Sequence, residues 1–429
     1  MKRLLIISYY WPPTGGSGVQ RWVKFAKYLP QFGWQPVIYT PENPERLAED
    51  ASLLSEIPAE VEVIKTHISE PYDIYRKFFG GKAKAQKSGG VNPLNSTSKG
   101  IKHKLAVWVR GNFFVPDPRV GWVKPSVKFL KEYLKEHPVD AVVTTGPPQS
   151  MHLIGLGLKR ALGIRWIVDF RDPWTNMFYF KHMGLWPLAE RKQRRLEKEV
   201  LDECDEIISV TPLVQADFQA MTSTPVHLIT NGFDEDDFPC DSAAVPSDRF
   251  TVVHTGLFAA DGNPLNIWDA LARKCAEDRT FREKLQIRLI GKVDAPVIEA
   301  IKDRGLGDNL ADLGYMDHVL TVQEQRSASM LILPLRQDPE YRKVLPGKIF
   351  EYLASRRPVL GIGQEDGAAA KVLKDAGAGV MYDWTATGPV SNFIDEQWER
   401  FLAGESAPVS SDISGYTRKA LTQKLTQIL

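Results

Sequence analysis

The sequence predicts an α/β protein made of two doubly wound domains, each built around a parallel sheet. Short apolar runs alternate with amphipathic helical patterns along the chain, as in consecutive βαβ units. The alternation stops in a polar stretch with two prolines, at 235–248, and then begins again. The 429 residues are enough for two complete cores. We therefore predict Rossmann-like domains at 1–238 and 249–410 that face each other across a central cleft.

The first domain begins with a short apolar run at 4–8, which predicts a buried strand. The helix predicted next, at 19–29, has apolar residues on one face, and Arg21, Lys24 and Lys27 form the opposite, polar face. The same reasoning predicts further strands at 36–39, 61–64, 141–145, 166–169, 207–210 and 227–229, and helices at 150–162 and 188–204.

The second domain repeats this alternation after the polar stretch. Pro346 and Gly347 open a helical segment that runs to Ala354, and a run of small and β-branched residues follows it. The pattern predicts strands at 250–254, 286–290, 311–313, 330–334, 358–362 and 379–381, and further helices at 264–275 and 295–304.

Composition narrows the class of protein. Hydrophobic residues make up 43% and charged residues 25%, as in ordinary globular proteins, and the net charge of +1 argues against a nucleic-acid partner. The three cysteines, Cys204, Cys240 and Cys275, are too far apart for a metal motif, and their odd number does not form a disulfide framework. We therefore predict a reducing, cytoplasmic location. No stretch approaches the ~20 apolar residues of a membrane span, so any membrane contact is expected to be peripheral.

The segment 72–123 interrupts the strand–helix alternation with basic and aromatic residues. It either lies on anionic lipid and accepts a lipid-linked or extended substrate, or it is a solvated insertion whose aromatic side chains pack on the first domain. The residues that raise the question are Arg76, Lys77, Lys82, Lys84, Lys87, Lys99, Lys102, Lys104 and Arg110, with Phe78, Phe79, Trp108, Phe113, Phe114 and Trp122.

A glycine-rich loop follows the first predicted strand. Gly16 and Gly18 permit a tight turn and let a ligand approach the backbone, directly before a helix N-terminus. The third glycine of a G-x-G-x-x-G dinucleotide fingerprint would fall at Arg21, so the loop does not match that motif. This mismatch argues against a nicotinamide-dependent oxidoreductase.

Chemically capable side chains follow two further strands of the first domain. His152 belongs to the first turn of a helix that Ser150 can cap, and it is either structural or directed at a ligand. Arg171 can be held by Asp169 or Asp172, either as a structural ion pair or as a substrate clamp. We favour a place in the cleft for Arg171, because the strand before it ends at the same sheet edge as the strand before His152.

An Asp-x-Asp sequence occurs at Asp234 and Asp236. This spacing binds a metal in some glycosyltransferases, but here it follows Asn231-Gly232 at the start of the linker. We interpret it as turn chemistry with a helix cap, and we predict no metal site.

In the second domain, Gly256, Lys292 and Tyr315 come at or just after the ends of predicted strands, and Arg342 and Lys343 add positive charge before the next helix. Lys348 and Glu351 share one face of that helix. A phosphate at its N-terminus can be neutralised by a lysine, and a carboxylate one turn further can accept both hydroxyls of a ribose. The alternative is an ordinary surface Lys–Glu pair on an amphipathic helix.

Taken together, these motifs resemble the glycosyltransferases of family 4, which have the two-domain GT-B architecture. The most specific parts are 16–19, 230–234 and 347–354. The C-terminal residues 415–429 resemble the helix that packs back onto the first domain in this family.

The resemblance implies a retaining hexosyltransferase that moves a sugar from a nucleotide-diphosphate sugar to a glycan or lipid-linked acceptor in surface polysaccharide or lipopolysaccharide biosynthesis. It implies that the first domain binds the acceptor and the second the nucleotide sugar, with no cofactor or metal, at the inner face of the plasma membrane. The residues implied are, as catalytic groups, His152, Arg171, Asp172 and Lys348, and, as donor-binding groups, Gly16, Gly18, Gly256, Lys292, Tyr315, Arg342, Lys343, Gly347, Lys348 and Glu351.

The chain departs from the family pattern at two positions. Lys343 stands where a sugar-contacting Glu is common, and Leu257 stands where an Arg is common. The diphosphate is then expected to be held by Lys348 together with Arg342, Lys343 or Lys292. The alternative function is a GT-B-like nucleotide-binding scaffold subunit without turnover.

Overall fold

The chain folds into two units, each with its own parallel sheet. The computed structural model describes residues 1–45, 49–70, 108–177, 180, 183–238, 248–405 and 412–429. The first unit comprises Met1–Thr230 and Leu421–Leu429, and the second comprises Asn231–Ala420. The predicted α/β fold class with two doubly wound sheets is confirmed.

The first unit contains a seven-stranded parallel sheet of order β3-β2-β1-β4-β5-β6-β7. Its elements in chain order are β1 (Lys2–Ile7), α1 (Ser17–Tyr28), β2 (Trp34–Pro41), β3 (Glu62–Thr66), α2 (Val120–Glu136), β4 (Ala141–Gly146), α3 (Ser150–Leu162), β5 (Trp166–Phe170), α4 (Pro187–Glu203), β6 (Glu206–Ser209), α5 (Pro212–Met221) and β7 (Val226–Leu228).

The second unit contains a six-stranded parallel sheet of order β10-β9-β8-β11-β12-β13. Its elements are β8 (Phe250–Thr255), α6 (Leu265–Glu277), α7 (Arg279–Lys284), β9 (Leu285–Ile290), α8 (Ala295–Asp303), β10 (Leu310–Gly314), α9 (His318–Ser327), β11 (Met330–Pro334), α10 (Lys348–Ser355), β12 (Val359–Ile362), α11 (Ala368–Asp375), β13 (Gly379–Tyr382) and α12 (Thr387–Leu402). The last helix, α13 (Arg418–Thr426), begins in the second unit and continues into the first.

The central strands of each sheet are buried on both faces, which explains their continuous apolar runs. In β1, Leu5 and Ile7 pack into one hydrophobic cluster, whereas Leu4 and Ile6 pack into the cluster on the opposite face. Helices cover both sides, as the crossover connections of a parallel sheet require. The order in which successive strands are added to each sheet reverses between β1 and β4 and between β8 and β11, and open α/β sheets bind ligands at such switch points.

Helix α2 corrects the interpretation of the end of the 72–123 segment. Trp122 is 1% exposed and stacks on Tyr39, with ring centroids 4.9 Å apart, while its indole donates to Thr66 Oγ1 at 3.1 Å. A lipid-facing role is therefore wrong for Trp122, and packing on the first domain is confirmed there. The basic and aromatic residues at 76–104 lie outside the described residues.

The C-terminal residues complete the core of the first unit. Leu421 and Leu425 are buried in the same cluster as Trp22. In the part of the chain that the structure describes, no helix combines the length and apolar character that a membrane crossing requires.

Candidate active site

Glycines line the carboxyl edge of the sheet in the second unit. Gly256 and Gly291 follow β8 and β9, and Gly314 ends β10. Gly256 has a φ of 89° and Gly291 one of 110°, and a Cβ on Gly291 would lie 2.5 Å from the carbonyl oxygen of Gly256. A side chain is therefore excluded at Gly291. This edge of the sheet presents backbone to a ligand.

Lys348 lies beside this glycine edge. It is the first residue of α10, after Gly347 at the N-cap, and its Nζ is 3.3 Å from where a Cβ of residue 256 would be. Nζ hydrogen-bonds to His254 Nε2 at 3.0 Å and donates to the Leu257 carbonyl at 3.3 Å. Burial lowers the pKa of Lys348 to about 8, against the opposing effect of the Glu351 carboxylate. The site therefore combines the lysine ammonium with a helix N-terminus, and both favour the binding of an anion.

Glu351 lies one helical turn after Lys348. Its Oε2 accepts a hydrogen bond from Gln325 at 3.0 Å, and its Oε1 lies 3.4 Å from His318 Nε2. Burial raises the pKa of Glu351, but the hydrogen bonds from His318 and Gln325 and the charge of Lys348 outweigh it, so the pKa is below its ordinary value. Gln325 is fully buried and also donates to Thr255 Oγ1 at 3.1 Å. The carboxylate is thus ionised and held in a set orientation, ready to accept hydroxyl groups.

Among the other predicted donor-binding residues of this unit, Lys292, Tyr315 and Arg342 are exposed, whereas Lys343 is half-buried. Lys292 and Tyr315 follow β9 and β10, and Tyr315 is 83% exposed. Arg342 Nη1 lies 3.8 Å from Asp366, and Lys343 Nζ lies 3.3 Å from Glu340. The charge of Lys343 is accordingly shared with an acidic neighbour.

In the first unit, Gly18 and Arg171 are packed against each other. A Cβ on Gly18 would lie 1.5 Å from Arg171 Nη1, so only glycine leaves room for the guanidinium. Arg171 donates to the carbonyls of Gly146 and Pro147. Gly16, with φ 116°, is the N-cap of α1. The glycine loop therefore serves the placement of Arg171 beside the ends of β4 and β5.

The expected partner of Arg171, Asp169, has another role. Asp169 is fully buried and accepts hydrogen bonds from Arg21 at 2.9 and 3.3 Å, from Trp22 at 2.7 Å and from Thr145 at 2.9 Å. Burial raises its pKa, but Arg21 and the other donors outweigh burial and lower it.

The placement of Arg21 on a polar face of α1 was wrong. Its side chain is fully buried, and it also donates to the carbonyls of Thr230 at 2.7 Å and Ile229 at 2.9 Å. Lys24 is buried as well, and it pairs with Glu56. The sequence analysis missed this network because its members are far apart in the chain.

Asp172 follows Arg171 directly. Burial raises the pKa of its carboxyl, and the charge of Arg171 opposes that rise.

His152 lies in the first turn of α3 and is fully buried. Its Nδ1 is 2.9 Å from Thr144 Oγ1, and its ring packs on Phe170 with centroids 4.6 Å apart. Burial lowers the pKa of His152 to about 3, so the imidazole is neutral. Its Nε2 and Gln149 Oε1 are buried without a hydrogen-bond partner and converge on Gly146.

Asp117 provides the cap of α3 that was expected from Ser150. The backbone N–H and hydroxyl of Ser150 donate to the Asp117 carboxylate at 2.8 and 2.9 Å. The helix cap predicted at the Asp-x-Asp sequence is confirmed, since Asp234 caps a short 3₁₀ helix and accepts from the Asp236 N–H at 3.3 Å. Across the described ranges, no group of three or more His, Cys, Asp or Glu side chains is arranged for a metal ion.

One protein-family model and several solved structures are similar to this chain. Residues 92–237 match the sequence model of Glycosyltransferase Family 4. No curated protein matches the chain. Its fold is similar to that of a glycosyltransferase from Rickettsia africae ESF-5, with a TM-score of 0.59 and 15% identity over 100% of this chain and 97% of that one.

Two further solved structures share this fold. Anabaena Alr3699/HepE, in complex with UDP-glucose, has a TM-score of 0.60 and 14% identity over 100% of this chain and 99% of that one. WaaG, a glycosyltransferase involved in lipopolysaccharide biosynthesis, has a TM-score of 0.54 and 14% identity over 99% of this chain and 94% of that one. The GT-B fold class is confirmed, and the match of residues 92–237 bears out the resemblance to family 4 and indicates a glycosyltransferase.

Proposed function

We propose that the chain is a retaining hexosyltransferase that uses a nucleotide-diphosphate sugar. The observation that carries this proposal is the Lys348–Glu351 pair on the first turn of α10, beside the glycine edge of the second sheet. The diphosphate binds at the α10 N-terminus and on Lys348, and the ionised Glu351 accepts the ribose hydroxyls. The complex of HepE with UDP-glucose supports a donor of this kind for the shared fold.

Departure of the nucleotide diphosphate needs compensation for negative charge that develops on the leaving group. The chain offers Lys348 and the N–H groups of α10, with Arg342 and Lys343 on the preceding 3₁₀ helix. Preorganised donors of this kind stabilise developing charge without a metal ion. We assign this role first to Lys348, because its Nζ is already held at the glycine edge.

The first unit is proposed to bind the acceptor, a glycan or a lipid-linked glycan. Arg171 is held by backbone carbonyls beside the ends of β4 and β5, with Asp172 next to it, and offers hydrogen bonds to acceptor hydroxyls or phosphate. His152 is neutral, so its proposed role is that of a hydrogen-bond partner and not of an acid. The role of WaaG in lipopolysaccharide biosynthesis supports a surface polysaccharide as the product.

An exposed aromatic patch supports peripheral contact with the inner face of the plasma membrane. Trp108, Phe113 and Trp186 form edge-to-face pairs with centroids 4.9–6.0 Å apart, and Phe113 is 61% and Trp186 48% exposed. Leu188, 74% exposed, extends the apolar surface, and α4 continues with the exposed basic residue Arg191. Aromatic and aliphatic groups next to basic ones suit an anionic lipid surface.

The donor site is tested by calorimetric titration with UDP, GDP, ADP and CMP and their sugars. Lys348→Ala should weaken binding of the selected nucleotide by roughly 1.5–3 kcal/mol, the contribution of a charged hydrogen bond. Lys302→Ala, on the exposed surface of α8, is the matched control and should leave the affinity unchanged. Unchanged affinity of Lys348→Ala would contradict the assignment.

Turnover is tested separately from binding. Leu257 is 48% exposed at the position where the family commonly has an Arg, which favours the scaffold alternative as the second candidate. Donor hydrolysis or transfer that Glu351→Ala abolishes would establish the enzyme. Measurable nucleotide binding without turnover of any common nucleotide sugar would establish the scaffold.

The membrane contact is tested by sedimentation with vesicles that contain phosphatidylglycerol. Trp186→Ser combined with Phe113→Ser should reduce the bound fraction, and nucleotide affinity should stay unchanged. Equal sedimentation of the variant and the wild type would reject this surface as a membrane contact.

A further inference from the structure

His254 is a polar residue in the most buried part of the second sheet. It lies on the central strand β8, between Val253 and Thr255, and is fully buried. Its ring packs on Phe258, with centroids 4.3 Å apart. Its Nδ1 is buried and has no hydrogen-bond partner. An imidazole in such a place destabilises the fold relative to an apolar residue of similar size, so a compensating role is expected.

The contact of the other ring nitrogen, Nε2, indicates what this role is. His254 Nε2 lies 3.0 Å from Lys348 Nζ, across 94 residues of chain. An ammonium group can only donate, so the imidazole must be neutral, with Nε2 as acceptor and the proton on Nδ1. Burial, and then the charge of Lys348, lower the pKa of His254 well below its ordinary value, in agreement with this tautomer.

The two hydrogen bonds of Lys348 define where its charge is held. The imidazole of His254 and the Leu257 carbonyl direct Nζ over Gly256, at the end of β8. Lysine has a long and flexible side chain, and an aimed ammonium group loses less conformational entropy when a ligand binds.

We propose that His254 is a positioning residue, whose neutral imidazole accepts a hydrogen bond from Lys348 and holds the ammonium group in place for the diphosphate of the nucleotide sugar. This inference rests on the proposed function of Lys348 and deepens it. His254 itself does not touch the substrate. It acts through the direction that it gives to Lys348.

The first test compares variants at position 254 by calorimetric titration with UDP, or with GDP where the nucleotide screen selects it. His254→Leu fills similar space without an acceptor and should weaken binding about tenfold. His254→Asn places its acceptor too close to the backbone and should behave like His254→Leu. His254→Gln reaches about as far as Nε2 and should restore the affinity to within about threefold of the wild type.

The second test follows Lys348 without any nucleotide. Peptide-resolved acylation of lysines against pH should give a midpoint near the pKa of about 8 in the wild type. The groups that face Nζ are His254 from β8, the Leu257 carbonyl, and Glu351 from its own helix, itself paired with His318 of α9. Loss of the acceptor destabilises the ammonium form, so His254→Leu should lower the midpoint and His254→Gln should leave it close to that of the wild type.

A positioning role and a purely structural role of His254 predict opposite results. Under the positioning role, the thermal stability of His254→Leu should equal or exceed that of the wild type, because the substitution removes the unpartnered Nδ1. Reduced stability with unchanged UDP affinity and an unmoved acylation midpoint would overturn the inference. Weakened binding in Lys348→Ala together with unchanged binding in His254→Leu would overturn it as well, and the proposed function would stand.

Discussion

The Arg21–Asp169 ion pair yields the most direct test of how the first unit is held together. Asp169→Asn keeps the size of the side chain but removes its charge. The Asn amide then faces donors from Arg21, Trp22 and Thr145, which lie within 2.7–3.3 Å of the native carboxylate. The guanidinium remains fully buried and loses the opposite charge of Asp169.

The expected loss in the free energy of unfolding follows from these contacts. Removal of one partner of a buried ion pair destabilises a protein by about 3–5 kcal/mol. Arg21 keeps its hydrogen bonds to the carbonyls of Thr230 and Ile229, so we expect a value near the lower limit, about 3 kcal/mol. The control is Asp202→Asn, which removes an exposed i,i+4 pair with Lys198 and should change stability by about 0.5 kcal/mol or less.

Hydrogen exchange resolved by peptide measures this effect unit by unit, which matters because a chain of two units need not unfold in one step. Peptides from β4 and β5 should lose protection in Asp169→Asn, whereas peptides from β11 should not. A loss no larger than that of Asp202→Asn would refute the reasoning.

The same pair makes stability depend on pH. The folded-state pKa of Asp169 is lowered, so its contribution is fully present above the unfolded value of about 3.9 and is lost as pH falls through the folded value. Between pH 5 and the acid limit of folding, the first unit of the wild type should therefore lose stability more steeply than that of Asp169→Asn. Equal slopes would show that folding does not lower the pKa of Asp169.

Two further substitutions test packing. Gly18→Ala would place a Cβ 1.5 Å from Arg171 Nη1, so the guanidinium at the end of this flexible side chain must move. The variant should lose transfer activity in rate measurements, with a stability loss of about 1 kcal/mol or less in thermal unfolding. Gly388→Ala, with no neighbouring atom within 4 Å, should change neither. Trp122→Ala should lower the free energy of denaturant unfolding by about 3–5 kcal/mol, because the indole is buried. Phe113→Ala, at an exposed side chain, should change it by no more than about 0.5 kcal/mol. Equal losses would contradict the burial of Trp122.

Local pattern predicted most of the sheet elements. The continuous apolar runs at 4–8 and 330–334 belong to strands that are buried on both faces, and burial on both faces is what such a run requires. The helix that starts at Lys348 was predicted from Pro346-Gly347 and from its apolar face, and both signals are local.

Elements without a clean local signal were missed. Helix α2 begins at the end of the 72–123 segment that was interpreted as an insertion, and Pro125 and several lysines hid its apolar face. Helices α5, α7, α9, α11 and α12 also went unpredicted. The short helices among them are stabilised mainly by the sheets on which they pack and less by their own periodicity.

The sequence by itself determined the class of fold and the residues available for chemistry, because strand burial, helix periodicity and glycine loops act over a few neighbouring residues. Only the tertiary structure decided which of those residues meet. Arg21 reaches Asp169 across 148 residues, and Lys348 reaches His254 across 94. Such pairs form because parallel strands end at one sheet edge, and no local pattern records which distant side chain arrives there.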